Sequence, residues 1–159
     1  MDAIALKESI ELGTVIVLSL ISIILLLLSA MASGSEVAFF SLTHNDIEEL
    51  ENRSDAASQR VIELIANPDR LLATILVANN MVNICLVILS TQLIDAIFTF
   101  SGVWEFIFNT IVITFLLLLF GEIMPKVFSQ TNPIKMSRLL SAPLKFLRWL
   151  LYPLAFILI

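Results

Sequence analysis

One cysteine and one histidine are all that this chain offers to disulfide chemistry and to borderline metals. Cys85 has no internal partner, so no disulfide framework forms within the chain, and no Cys/His set exists for zinc. Charge is scarce as well. Asp, Glu, Lys and Arg make up 14% of the residues, and a net charge of −5 argues against a nucleic-acid surface. The glycine-rich loop that ends in Lys-Ser or Lys-Thr is missing, which excludes a P-loop nucleoside triphosphatase. No internal repeat and no low-complexity tract is present. An intramembrane enzyme is disfavoured too, because no histidine lies in an apolar run and no nucleophile–base pair stands out.

What the chain does have is apolar length. Hydrophobic residues make up 58% of it, and the mean hydropathy is +0.97, values that belong to a membrane. The N-terminal flank sets Asp2, Glu8 and Glu11 against Lys7 alone, and the run from Leu12 to Met31 is too long for a signal peptide. Three spans of the ~20 apolar residues a bilayer requires are predicted over about 10–32, 71–94 and 104–124. Asn67-Pro68-Asp69 supplies a cap and a first-turn proline for the second, and Pro125 closes the third.

The segment Thr43 to Asp69 predicts two short helices, Asn45–Asn52 and Ala56–Ala66, forming a juxtamembrane hairpin over about 43–66. Beyond Pro125, Lys135, Arg138, Lys145 and Arg148 recur along one face of an otherwise apolar stretch over about 134–152. That pattern predicts an interfacial belt helix lying on anionic headgroups, bent at Pro143 and Pro153. The alternative for this stretch is a fourth span with snorkelling lysines. The expected fold is an all-α integral membrane domain occupying residues 1–159. It comprises three transmembrane helices, a hairpin on the cytoplasmic side and the belt. Arg53, Arg60 and Arg70 precede the second span, five basic residues follow the third, and none lies between the second and third. The positive-inside rule therefore predicts an outer N-terminus and a cytoplasmic C-terminus. The apolar end at Leu158-Ile159 suggests one domain of a longer protein.

Polar residues interrupt each span. Ser22, Ser29, Ser33 and Glu36 form a stripe in the first, although membrane serines commonly bond back to their own helix. Asn80 and Asn83 share a face of the second, as do Asn79 and Asn83. Buried amides can also serve as interhelical glue. Glu122 stands in the strongest apolar run, where a carboxylate costs roughly 2.5–3.5 kcal/mol and so points to function. Pro125 has no N–H, which strips the Gly121 carbonyl of its helical donor. Glu122 and Lys126 are spaced for an ion pair. Carboxylate, amide, hydroxyl and carbonyl oxygens suit a hard cation, Mg2+ or Na+.

The run Ser29-Ala30-Met31-Ala32-Ser33-Gly34-Ser35-Glu36-Val37-Ala38-Phe39-Phe40-Ser41-Leu42 resembles a signature of the CorC/cyclin-M (CNNM) transmembrane domain. Asn80 with Asn83, and Gly121-Glu122-Ile123-Met124-Pro125-Lys126, resemble the second and third signatures in order. The basic stretch from Asn132-Pro133 to Tyr152-Pro153 is similar to the family's belt. The resemblance implies a homodimer in the plasma (inner) membrane that transports Mg2+, in the export direction, with Na+ as a candidate coupling ion. It also implies paired cytoplasmic regulatory modules of the CBS type in a longer chain. Carried onto these positions, it implies metal contacts from Ser29, Ser33, Asn80 and Glu122, with Asn83, Gly121 and Glu36 as second choices. Asn79 departs from the pattern, where glycine is more usual. A function of another class also fits: a membrane anchor and dimerisation module without transport of its own.

Overall fold

The computed structural model describes residues 3–97 and 102–151. Six helices account for nearly all of them. α1 (Ala3–Phe40) is followed by the hairpin helices α2 (His44–Glu51) and α3 (Ala56–Ile65), then α4 (Pro68–Ile97). A fifth helix, α5, occupies residues 103–131, and α6 is Pro133–Leu150. Three stretches are long and apolar enough to cross a membrane: Leu12–Phe40, Pro68–Ile97 and Ile111–Thr131. α6 is not among them, so the fourth-span alternative finds no support among the described residues.

Two predicted ends move outward. α1 continues past Ala32 to Phe40 because its Ser-Gly-Ser stretch does not break the helix. The Ser35 hydroxyl folds back onto the Met31 carbonyl at 2.7 Å, and Gly34 stays helical. With 38 residues, α1 is about 57 Å long at 1.5 Å per residue. It therefore outreaches a hydrocarbon core of about 30 Å. α5 does not stop at Pro125 either. Its turns widen to π geometry at Phe108–Ile113 and again at Leu119–Ile123, and Pro125 follows at the start of the α segment Met124–Thr131. Across the second π turn, the Met124 amide donates to the Leu119 carbonyl five residues back. The shifted register lets the helix carry a proline that would clash in an unbroken α-helix.

Local chemistry fixes the shorter elements. Thr43 and Asp46 form a reciprocal capping box at α2. Asp55 caps α3 by accepting from the Ser58 amide at 3.1 Å, and Asn132 caps α6 by accepting from the Lys135 amide at 3.2 Å. Pro133 takes the first position of α6, where no donor is needed. α6 runs unbroken through Pro143, while Tyr152 and Pro153 lie outside the described residues.

A buried apolar cluster ties the end of α1 to the hairpin, to the start of α4 and to α6. Phe39, Leu50, Val61, Leu64, Ile75 and Leu144 belong to it. The outer faces of the spans stay apolar and exposed, as with Leu20, Ile24 and Leu27 of α1. Outward apolar faces are what lipid requires.

The belt differs from expectation in the direction of its charges. Arg138 pairs with Asp55 at 3.0 Å, and Lys145 pairs with Glu63 at 2.6 Å. Arg148 also donates to the Glu63 carbonyl at 3.5 Å. Three of the four basic residues thus serve the α3–α6 contact rather than a free headgroup surface, and Lys135 alone stays outside these pairs. The reason is local. The capped carboxylate of Asp55 and the side chain of Glu63 lie within reach of α6, so protein acceptors take the place of lipid phosphates.

Candidate cation site

The helical repeat places Ser29 and Ser33 on the face of α1 that meets α4 and α5, and both are buried, at 1% and 0% exposure. Neither bonds back to its own helix. Ser33 donates to Asn79 Oδ1 at 3.2 Å. Ser29 Oγ stands 2.7 Å from Asn83 Oδ1, 3.3 Å from the Gly121 carbonyl oxygen and 3.5 Å from Asn79 Oδ1. A serine hydroxyl owns one proton, and the shortest contact takes it. With the amides oriented this way, the Gly121 carbonyl and the Asn79 oxygen receive nothing further from Ser29. Five oxygens from three helices, those of Ser29, Ser33, Asn79, Asn83 and Gly121, share two hydroxyl protons. A surplus of lone pairs in a buried, low-dielectric place favours a cation.

Gly121 makes the approach possible. A Cβ there would come within 3.0 Å of Ser29 Oγ and 3.4 Å of Leu26 Cδ1. Its carbonyl is exposed to Ser29 because Pro125 offers no N–H. Gly34 has the matching role one turn further along α1. A Cβ there would lie 2.9 Å from Ser129 Oγ and 3.6 Å from the Pro125 carbonyl.

Glu122 faces a cavity of about 70 Å³ between α4 and α5, which Asn83, Leu86, Thr114 and Leu118 also line. The space is large enough for a few waters. The Glu122 carboxylate accepts from Lys126 Nζ at 3.2 Å, and the same ammonium lies 3.1 Å from Glu36 Oε2. All three are partly exposed, with Lys126 at 29%, Glu36 at 31% and Glu122 at 32%. The anticipated Glu122–Lys126 pair is therefore present, and Glu36 joins it. Among the described residues, no three His, Cys, Asp or Glu side chains gather. The donor set consists of neutral oxygens with carboxylates at the margin.

Residues 20–159 match the cyclin M transmembrane N-terminal domain (CNNM). The chain belongs to this family. It is similar to UPF0053 inner membrane protein YfjD of Escherichia coli, 34% identical over 78% of this chain and 30% of that protein. A UPF0053 protein of Haemophilus influenzae is 34% identical over 94% of this chain and 34% of its own length. UPF0053 protein sll1254 of Synechocystis is 28% identical over 84% of this chain and 38% of that protein. The chain thus spans about a third of the length of these relatives.

Among the residues inferred from the CNNM signatures, the structure brings Ser29, Ser33, Asn83 and Gly121 together. Glu122 adjoins them through the cavity it shares with Asn83, and Glu36 is reached only through Lys126. Asn80 is not brought in. It is exposed on the outer side of α4, and Asn79, 9% exposed, holds the inward position. Helical phase explains the exchange. Leu71, Ile75, Asn79 and Leu86 follow the buried stripe of α4, and Asn80 sits a further 100° around. Lys126 is the other residue whose part exceeds the sequence reading, since its second carboxylate comes from α1.

Proposed function

We propose that this chain is the ion-handling membrane domain of a secondary transporter and that Mg2+ is its substrate. Convergence on Ser29 of oxygens from α4 and α5 carries the reading. The uncharged donors suit a hard cation, and the resemblance of the signatures to CorC/cyclin-M proteins favours magnesium over sodium. Mg2+ gives up its hydration reluctantly. The cavity beside Asn83 and Glu122 suits an ion that keeps part of its water shell.

In this mechanism Ser29, Ser33, Asn79, Asn83 and the Gly121 carbonyl replace the lost waters. Glu122 supplies formal charge from the cavity wall. The ion leaves readily because the inner donors are neutral, so attraction stays below that of a trap. Alternating exposure of the site would move it, driven by an ion gradient. We assign the export direction, with Na+ as the coupling ion, an outer N-terminus and a cytoplasmic C-terminus. A homodimer is part of the proposal. The outward amide of Asn80 on a membrane-spanning helix supports it, because a polar group there gains from a partner in a second copy. Regulatory modules of the CBS type would occupy length that the relatives have and this chain does not cover.

Glu122→Ala reconstituted in proteoliposomes is expected to lose Mg2+ flux, read with a trapped magnesium dye. Flux equal to that of the native chain would remove the proposal. The relatives' greater length favours a second reading, a membrane anchor for attached domains. Native chain that carries no Mg2+ under any imposed gradient, yet still dimerises, would favour that reading.

A further inference from the structure

Lys126 sits where an arriving cation would be attracted. Its ammonium lies 3.1 Å from Glu36 Oε2 and 3.2 Å from Glu122 Oε1, joining a carboxylate of α1 to one of α5. Glu122 also lines the cavity shared with Asn83. We propose that Lys126 is the resident cation of the Glu36–Glu122 pair, and that the transported ion must displace it to engage Glu122. The inference rests on the proposed transport function.

The geometry suits displacement. Lys126 belongs to the same helix as Glu122, one turn beyond it, so the ammonium cannot diffuse away. Its backbone is anchored, because α5 is packed against Gly34 of α1 through Pro125 and Ser129. The side chain is nevertheless 29% exposed, and a flexible four-carbon stem lets its head move into water. A divalent ion brought beside Glu122 repels an ammonium held 3.2 Å from the same carboxylate. Its double charge also competes for the carboxylates better than a single one. When the ion departs, the lysine returns, and the two carboxylates are not left bare while the empty site changes exposure.

The consequence is a lower apparent affinity. The observed dissociation constant is the intrinsic one divided by the fraction of molecules whose site is free. If Lys126 holds the pair about 90% of the time, removing it tightens apparent Mg2+ binding about tenfold.

The experiment titrates Mg2+ against the melting temperature of the purified chain in detergent, for the native sequence, Lys126→Gln and Lys126→Arg. The half-maximal Mg2+ concentration is expected to fall about tenfold in K126Q and to stay near the native value in K126R, which keeps the charge. On the native chain alone, Mg2+ is expected to raise acetylation of Lys126 by a water-soluble amine reagent, with Lys135 as the internal reference. This second readout decides the question if K126Q folds poorly. A native response to Mg2+ with equal or weaker binding in K126Q, or with Lys126 acetylation unchanged or reduced, overturns this inference and leaves the proposed function standing. No response to Mg2+ in any of the three proteins removes both.

Discussion

Ser29 Oγ has one proton and three oxygen neighbours, and this imbalance organises the site. Ser19 and Ser35 show the alternative, because each bonds to the carbonyl four residues back on α1. Ser29→Ala should cost about 0.6 kcal/mol, and up to about 1.7 kcal/mol, the measured range for interhelical hydrogen bonds in a membrane. It should also weaken cation binding. A steric-trap or thermal unfolding measurement in magnesium-free buffer isolates the first effect. Asn79→Ala should reduce Mg2+-dependent stabilisation, whereas Asn80→Ala should preserve it in the monomeric chain; a thermal shift series checks both. Ser29, Ser33 and Asn83 were readable as polar atoms sharing faces of apolar runs. Back-bonding serines and interhelical amides fit the same spacing, and the resemblance to the CorC/cyclin-M signatures singled them out. The choice between Asn79 and Asn80 was not readable. Both share a face with Asn83, and only the neighbours of α4 fix its rotation about its axis. The buried stripe through Leu71 and Ile75 was the available signal.

At the scale of elements, the departures from regular helix concentrate on α5. Gly121 falls inside the π turn Leu119–Ile123, against Ser29 and Leu26. Gly121→Ala adds a methyl group where 3.0 Å is available, and such overpacking costs about 1–3 kcal/mol. A lowered melting temperature together with weakened cation binding is expected. Sequence disclosed the proline and the lost donor. It did not disclose that the helix would widen and continue to Thr131, since π turns have no sequence signature comparable to a cap.

The hairpin was legible almost to the residue: the expected Asn45–Asn52 and Ala56–Ala66 are His44–Glu51 and Ala56–Ile65, and the structure adds the caps, Thr43 with Asp46 and Asp55 with Ser58. The docking of α6 was not, because a basic face accepts either lipid phosphates or carboxylates. Asp55 gives the α3 cap, and to a lesser degree its contact with Arg138 of α6, a pH signature. The Ser58 amide and hydroxyl, followed by Arg138, hold its carboxyl down to about 2. A carboxylate whose folded pKa lies below its unfolded value of about 3.9 stabilises the fold above that unfolded value. The contribution is lost as pH falls through the folded one. Protection of α3 amides from hydrogen exchange should therefore decline between about pH 4 and pH 2. In Asp55→Asn that part of the slope should be missing.

For the whole molecule, three spans leave their outer surfaces mostly apolar, with Asn80 an exception, and direct selected polar groups to one inner seam. The architecture was legible because apolar length and composition nearly suffice to define a span. The seam was partly legible, as the oxygen atoms were identifiable but their mutual distances depend on packing. The most direct test of the central claim is Mg2+-dependent stabilisation of the purified chain, compared between the native sequence and Ser29→Ala. A ligand at about 100 times its dissociation constant should stabilise the native fold by about 2.7 kcal/mol. The melting temperature of the native chain should rise with Mg2+, and that of the variant should rise markedly less. A native melting temperature indifferent to Mg2+, or an identical rise in both proteins, would contradict that claim.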